Sequence, residues 1–274
     1  MSDIVIIKQN LEASFYQAVP SESGSNGRHN IGHNGKERVG RIIGLVGAPG
    51  IGKGYITRGL RRHTDNLHFL PRITTREPRP TDADEGVVTV STDEFQKLHE
   101  HIIGIHRPFN DHRLYGWHAE EAQQGIKQGK NYITDPNVEL LDKFHDRFGD
   151  SLHLIGLTAE KGYLEANLSE RAFSDKPSGV LAQKDLDDIR KRLEVGEAYS
   201  SKVREAFSKG FLHNLVEVNF GNRSIIVEVV KNEIARNIGL FDPEISPIPG
   251  VEFNGRRNGT HNEAMFRSGG KERF

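Results

Sequence analysis

The segment that most constrains this chain is a glycine-rich loop placed directly after a short apolar run. Residues 47–54 read Gly-Ala-Pro-Gly-Ile-Gly-Lys-Gly, the apolar run 41–46 leads straight into them, and a helical pattern over 55–63 follows. In such a unit the glycines let backbone N–H groups converge on phosphate oxygens, and the helix N-terminus adds the positive end of its dipole. Lys53 then reaches the outer phosphates. The pattern predicts a phosphate-binding loop.

One position departs from the commonest form of this loop. Gly54 takes the place of the Ser or Thr that usually follows the Lys and helps to hold Mg²⁺, and Tyr55 comes next. The chain therefore needs another way to hold Mg²⁺ and the inner phosphate. The alternative interpretation, a glycine-rich turn without a ligand, has less support because strand and helix patterns flank the loop in the required order.

Composition limits the classes of partner. The 37 basic and 38 acidic side chains nearly cancel over 274 residues, so net charge gives no reason to expect nucleic acid or a membrane as partner. Cysteine is absent, which excludes disulfides and thiolate chemistry. No apolar run approaches membrane-spanning length, and the N-terminus lacks the layout of a signal peptide. We therefore expect a cytoplasmic protein.

Three zones follow one another along the chain. Residues 1–39 combine short apolar runs with a polar, Gly/Ser-rich stretch, which indicates an N-terminal extension and a flexible linker. Residues 40–238 form the predicted domain. Residues 239–274 contain prolines, glycines and scattered charge without periodicity, which predicts an extended or disordered tail. The linker and tail would suit a homo-oligomer or a protein recruited by others.

Within the domain, apolar runs alternate with helical patterns. The predicted strands are 41–46, 131–134, 152–157 and 215–219. The predicted helices are 55–63, 92–101, 119–128, 137–148, 161–171, 185–207 and 224–237. This alternation indicates βαβ units and an α/β fold, with a parallel sheet flanked by helices on both faces. Ligands bind beyond the carboxyl ends of such strands, where the glycine-rich loop falls.

A second cluster of polar residues follows the first helix. The segment 74–80 reads Thr-Thr-Arg-Glu-Pro-Arg-Pro, so Arg76 and Arg79 lie three residues apart around a proline. Two cations fixed in an extended segment can grip a phosphate. The alternative is a basic loop with solvent-exposed arginines. Tyr115, at a turn before Gly116, would add a third phosphate contact or serve in packing.

The order of these motifs resembles the guanylate kinase family over about residues 41–238. Beyond the two segments above, the matching motifs are Ser91 to Phe95, Tyr115-Gly116, Gly129, Asp135 to Asn137, Leu168 to Arg171, Ile189 to Leu193, and Val216 to Asn219. The resemblance implies a P-loop kinase fold with an acceptor-binding subdomain and a mobile lid. It also implies phosphoryl transfer from ATP, with Mg²⁺, to a small phosphorylated acceptor.

The resemblance implies a role for each matching residue. The ATP site would be formed by the loop and by an Asn beside the adenine: Gly47, Gly50, Gly52, Lys53, Gly54, Tyr55 and Asn219. The acceptor would be held by Arg76, Arg79, Tyr115, Asp135 and Asn137. Charge on the transferred group would be neutralised by the catalytic residues Lys53, Arg76, Arg171 and Arg192. In-line transfer of this kind needs no side-chain nucleophile, because the protein positions two anions and screens their repulsion.

Several positions that read guanine or its phosphate in the family differ here. Arg72 replaces a Ser, Val87 or Val88 replaces a Tyr, His106 replaces a Glu, and Trp117 replaces a Ser. The residue that reads the base edge is Asp135 or, in another register, Asn137. A site built to hydrogen-bond one base loses discrimination when those partners change. Trp117 would then stack on a different base or fill the space that guanine would occupy.

These departures leave three functions open. The favoured one is a nucleoside monophosphate kinase with altered base specificity. An alternative is a sugar-phosphate kinase that resembles ribose 1,5-bisphosphate phosphokinases. The third is a non-catalytic guanylate kinase-like binding module, which has less support because such modules typically lose the ATP loop and this chain keeps Lys53 and its glycines. The five histidines within 99–118 would suggest a metal-dependent hydrolase, but their spacing is poor for a shared metal ion.

Overall fold

A computed structural model describes residues 39–79, 82–107, 112–174, 181–241 and 254–255. The predicted N-terminal extension lies outside the described residues except for residue 39, as does most of the predicted tail. The strands are β1 (Ile42–Gly47), β2 (Leu67–Phe69), β3 (Arg72–Thr74), β4 (Val87–Thr89), β5 (Ile102–His106), β6 (Tyr115–His118), β7 (Asn131–Thr134), β8 (Leu152–Ala159), β9 (Asn214–Val218) and β10 (Asn254–Gly255).

The α-helices alternate with these strands along most of the chain. They are α1 (Lys53–Arg61), α2 (Thr92–Lys97), α3 (Ala119–Lys127), α4 (Leu141–Phe148), α5 (Lys161–Ser174), α6 (Gln183–Ser208) and α7 (Ile226–Ile238). Two predicted helices are shorter as α-helices, because 3-10 turns take up His99–His101 after α2 and Val138–Leu140 before α4. Among the described helices, none combines the length and apolar character needed to span a bilayer.

The larger sheet has six strands in the order β10-β9-β8-β1-β7-β2. Its members from β2 to β9 pair in parallel, and β10 adds an antiparallel edge to β9. Strand β1 is buried along its whole length, as expected for a central parallel strand that carries helices on both faces. The predicted parallel sheet flanked by helices is confirmed.

Two apolar clusters lie on the opposite faces of this sheet. Along β1, Ile43 and Leu45 belong to one cluster, whereas Ile42 and Val46 belong to the other. The long helix α6 contributes to both, because its buried residues recur every three or four positions from Ile189 to Ala206. The first cluster also includes Phe241, so the chain packs onto the core three residues beyond the predicted domain end.

A smaller sheet of four strands, in the order β4-β3-β6-β5, follows α1 in the chain. Strands β3 and β4 pair in parallel, whereas β6 is antiparallel to both of its neighbours. One face packs on a third cluster that includes Ile73, Phe95 and Ile102. The sequence patterns did not predict these strands, although the resemblance implied a subdomain at this place.

Candidate active site

The glycine-rich loop joins the end of β1 to the start of α1. Gly50 and Gly52 have φ angles of 85° and 99°, in the left-handed region that favours glycine. At Gly50 a Cβ atom would come within 2.7 Å of the Leu168 side chain. Gly52 caps α1 without a side-chain hydrogen bond, so the first N–H groups of the helix have no side-chain cap. Orphan amides at a helix N-terminus are a binding site for an anion.

The Lys53 ammonium is folded back onto this loop. Its Nζ donates to the carbonyl oxygen of Gly47 at 2.6 Å and to that of Ala48 at 3.2 Å. Burial lowers the pKa of Lys53, Asp135 acts to raise it, and Arg72 acts to lower it. The lysine is therefore within electrostatic reach of both Asp135 and Arg72, and a phosphate group would give it a better partner than two carbonyl groups.

A cavity of about 1010 Å³ opens beside the loop. It extends from Pro49 to Arg58, along the carboxyl end of β7, and past helices α5 and α6. Of the residues proposed from the sequence, nine line it: Gly50, Gly52, Lys53, Gly54, Tyr55, Arg79, Asp135, Arg171 and Arg192. The remaining ones do not line it: Gly47, Arg76, Tyr115, Asn137 and Asn219. The glycine-rich loop, one proposed acceptor arginine and both proposed lid arginines therefore line the same cavity.

Arg76 is buried beside this cavity, with 5% of its surface exposed. Both of its terminal nitrogens donate to the Asp82 carboxylate, one of them at 2.8 Å. The same carboxylate accepts a hydrogen bond from the backbone N–H of Arg79 at 2.7 Å. Burial alone would raise the pKa of Asp82, but the hydrogen bonds from Arg76 and Arg79 and their charges lower it. The pair fixes the conformation of the loop that carries Arg79.

The sequence analysis proposed no role at the site for several charged residues of the cavity wall, among them Arg72 and Glu85. Arg72, on β3, donates to Asp135 at 2.5 Å and lies 3.8 Å from the Glu85 carboxylate. Glu85 also faces Arg58 at 3.4 Å. Sequence reasoning treated Arg72 only as a replacement for a Ser; the available signal was an arginine two residues before the Thr-Thr-Arg segment.

Comparison with known proteins finds similarity to guanylate kinases. No protein-family model matches the chain. The curated guanylate kinase of Trichodesmium erythraeum is 24% identical over 184 residues, which is 67% of this chain and 97% of that one. The guanylate kinase of Halalkalibacterium halodurans is 28% identical over 170 residues, 61% of this chain and 81% of that one. This chain is related to the guanylate kinase family.

The fold agrees with this relationship. The crystal structure of a guanylate kinase from Anaplasma phagocytophilum matches 73% of this chain and 86% of that one, with a TM-score of 0.50 and 14% sequence identity. The parallel sheet, the loop after β1 and the flanking helices are those of a P-loop kinase fold. The sequence resemblance to guanylate kinases is confirmed, and so is the fold class that it implied.

The positions where this guanylate kinase relative departs from the family contact one another. The rings of His106 and Trp117 stack with centroids 5.5 Å apart and planes 12° apart. Trp117 is 1% exposed and packs edge-on against Phe144 at 5.2 Å. Burial lowers the pKa of His106, which keeps the ring neutral. Trp117 belongs to the protein interior and offers no open face to a base.

The other proposed acceptor residues outside the cavity wall have local partners. Tyr115 lies on β6, with its ring 5.6 Å from that of His106. Asn137 begins the 3-10 turn before α4, and its side chain accepts from the N–H of Glu139 at 3.1 Å. Both residues have local partners in the fold and do not line the cavity.

The loop after β9 forms another part of the cavity wall. Asn219 and Asn222 exchange hydrogen bonds of 2.9 and 3.0 Å, each from a backbone N–H to a side-chain oxygen. This exchange shapes a turn that presents Phe220 and Arg223 to the cavity. Phe220 is 62% exposed, and its ring lies edge-on to Tyr163 at 5.2 Å. The sequence predicted Asn219, which does not line the cavity, and missed Phe220, which does.

The two arginines proposed for the lid lie on different helices. Arg171 lies near the end of α5, and Arg192 lies on α6, where its Nε donates to Asp188 at 2.7 Å. The segment that joins these helices includes residues 175–180, which lie outside the described residues, so the predicted mobile lid is not described as a whole. In the described part of the chain, no group of three or more His, Asp or Glu residues is arranged to hold a metal ion.

Proposed function

We propose that this chain transfers the terminal phosphoryl group of ATP to a small phosphorylated acceptor, in the first place a nucleoside monophosphate. One observation supports this more than any other: a single cavity joins Lys53 in the phosphate loop to Arg79, Arg171 and Arg192. Reactions between two phosphates need cations on both reactants and on the group in transit. The relationship to guanylate kinases supports the same reaction class.

The residues would act by position and charge. Loop amides and Lys53 bind the ATP phosphates, and Lys53 exchanges its carbonyl partners for phosphate oxygens. Arg79 holds the acceptor phosphate, while Arg171 and Arg192 neutralise charge on the transferred group. Such preorganised cations stabilise an in-line transition state without a covalent enzyme intermediate. Closure of the α5–α6 region over the cavity would exclude water and limit hydrolysis of ATP.

The described residues fit ATP and Mg²⁺. Gly50 and Gly52 adopt the left-handed conformations that such a cradle needs, and Asp135 lines the cavity within electrostatic reach of Lys53. Magnesium in nucleotide sites takes one or two carboxylates, together with phosphate oxygens and waters. We propose Asp135 for this part, because Gly54 has no hydroxyl group. Bound Mg²⁺ would offset the negative charge of the ATP phosphates.

A second acceptor class has an observation in its favour. His106 and Trp117, at positions that the resemblance assigns to guanine, stack on each other inside the protein. This arrangement supports a changed base preference, and it equally suits an acceptor without a base, such as ribose 1,5-bisphosphate. A purely binding role has less support, because the loop retains Lys53 and its glycine geometry.

The test is a coupled ADP assay with Mg²⁺ and ATP across all ribo- and deoxynucleoside monophosphates and ribose 1,5-bisphosphate. Turnover with one nucleotide supports a monophosphate kinase and identifies its base. Turnover with the sugar phosphate alone supports the second class. ATP binding without any acceptor-dependent turnover would contradict the proposed activity and favour the binding module.

A further inference from the structure

Three arginines on β3 and in the segment after it differ in their access to the cavity. Arg72 and Arg79 line the cavity, whereas Arg76 does not. The sequence motif predicts that Arg76 and Arg79 together bind the acceptor phosphate. That pairing requires an Arg76 guanidinium that is free to hydrogen-bond the acceptor phosphate. The burial and the partners of Arg76 show whether it is free.

Three hydrogen bonds hold the guanidinium of Arg76 in place. Its guanidinium makes a two-pronged contact with Asp82 and also donates from Nη1 to the carbonyl oxygen of Glu77 at 2.7 Å. Both members of the pair are nearly fully buried. Withdrawing either charge from such a pair leaves the other buried without compensation, which is strongly unfavourable. Arg76 therefore stays with Asp82 when an acceptor enters.

Arg72 differs from Arg76 in each of these respects. Its side chain is 18% exposed and faces the cavity. Its Nε is buried and has no hydrogen-bond partner among the residues that the structure describes. Arg72 lines the same cavity as Lys53 and Arg79, and its charge acts on Lys53. An arginine with an unused donor at this place is suited to a phosphate oxygen.

We propose that Arg72 and Arg79 together bind the phosphate of the acceptor, and that Arg76 is a positioning residue that shapes the Arg79 loop through Asp82. This inference rests on the proposed phosphoryl transfer. Asp135 and Glu85 hold Arg72 before the acceptor arrives. An incoming dianion would take the place of these carboxylates at the Arg72 guanidinium.

The first test compares acceptor KM and ATP KM in Arg72→Gln, with GMP, AMP, CMP, UMP and ribose 1,5-bisphosphate as probes. Loss of a charge-assisted contact should raise the acceptor KM about ten-fold or more while ATP KM changes less than about two-fold. Arg72→Lys keeps the charge and should recover part of the loss. Arg204→Gln, an exposed arginine of α6 that does not line the cavity, is the matched control.

A second variant tests the same proposal even if Arg72→Gln fails to fold. Glu85→Gln removes one carboxylate that competes for Arg72 and leaves the arginine in place. If Arg72 binds the acceptor, the acceptor KM should fall or stay constant in this variant. A rise would mean that the charge cluster serves only the local structure, and it would overturn the assignment.

The variant Asp82→Asn distinguishes a positioning role of Arg76 from direct binding of the acceptor by Arg76. If Arg76 acts through Asp82, this variant should raise the acceptor KM as Arg76→Gln does, because both break the same contact. If Arg76 binds the acceptor itself, Asp82→Asn should leave KM unchanged or lower it, which would contradict the proposal.

The outcomes for the proposed function and for this inference can be told apart. If the unmodified protein turns over none of the probes, the proposed function is overturned. If it does turn one over and Arg72→Gln has an unchanged acceptor KM, this inference alone is overturned.

Discussion

Lys53 makes its side-chain hydrogen bonds to carbonyl groups of the loop that precedes it. These bonds are local, so replacing the lysine should leave the fold intact and remove the cation that meets the outer phosphates. We predict that Lys53→Met lowers acceptor-dependent turnover about 10³-fold or more. The thermal midpoint should match that of the unmodified chain. Lys97→Met, at an exposed position of α2, should keep full activity; comparable activity in Lys53→Met would contradict the loop assignment.

Buried histidines give the fold a pH dependence. Burial lowers the pKa of His153 to about 3, and burial also lowers the pKa of its ring neighbour His213, 4.6 Å away. The unfolded chain binds these protons near pH 6.5 and the folded chain does not, so stability is full above that pH and falls below it. For His153 the loss should approach about 1.4 kcal/mol per pH unit.

Thermal unfolding between pH 7.5 and 4 measures this dependence. His153→Phe keeps a ring and removes the titrating group, so its stability should fall less steeply below pH 6.5. His99→Gln, on the exposed turn after α2, should retain the slope of the unmodified chain. Equal slopes in His153→Phe and the unmodified chain would contradict the histidine explanation.

At the residue scale, the sequence predicted candidate site residues where a local pattern marks them. The loop glycines, Lys53 and Arg79 were predictable because a short motif fixes their backbone. The position of Arg76 was not, since it depends on Asp82, which folds back across a turn. Arg72 and Phe220 were missed because their roles come from pairing and loop geometry that no local pattern records.

At the element scale, the strands predicted from the sequence belong to the larger sheet, and three of them, β1, β7 and β8, are buried along their whole length. β1, β7, β8 and β9 are predominantly apolar runs, and the structure reproduces their predicted bounds within two residues. The strands β3 and β4 are three residues long and carry polar side chains, so they have no periodicity to detect. Their stability comes from pairing across the small sheet, which is a non-local effect.

The contact between α1 and α7 gives an element-scale prediction. A Cβ atom at Gly59 would lie 2.5 Å from a methyl group of Val227, whose branched side chain has little freedom to move. Gly59→Ala should therefore destabilise the fold by about 1–3 kcal/mol in denaturant unfolding. Gly162, in α5, has nothing within 4 Å of the same added atom. Gly162→Ala should be neutral or stabilising by up to about 1 kcal/mol; equal destabilisation by both changes would contradict the packing argument.

At the scale of the whole molecule, the cavity is assembled from parts that are distant in sequence. The phosphate loop, the acceptor segment, helices α5 and α6, and the loop after β9 all contribute to its wall. A ligand that joins them should stabilise the whole domain, by about 2.7 kcal/mol at a hundred-fold excess over its Kd. We predict that a non-hydrolysable ATP analogue with Mg²⁺ raises the thermal midpoint, and that Lys53→Met removes most of this shift. An equal shift in both proteins would place the nucleotide elsewhere.

The most direct test of phosphoryl transfer follows the γ-phosphate of ATP itself. Phosphorus NMR of the protein with ATP, Mg²⁺ and the acceptor panel distinguishes a new phosphoanhydride or phosphoester from free inorganic phosphate. We predict that the γ signal decreases, that ADP appears, and that the acceptor gains one phosphoryl group in equal amount, with no such change in Lys53→Met. Release of inorganic phosphate alone, or no acceptor product with any probe, would contradict the assignment of this chain as a phosphotransferase.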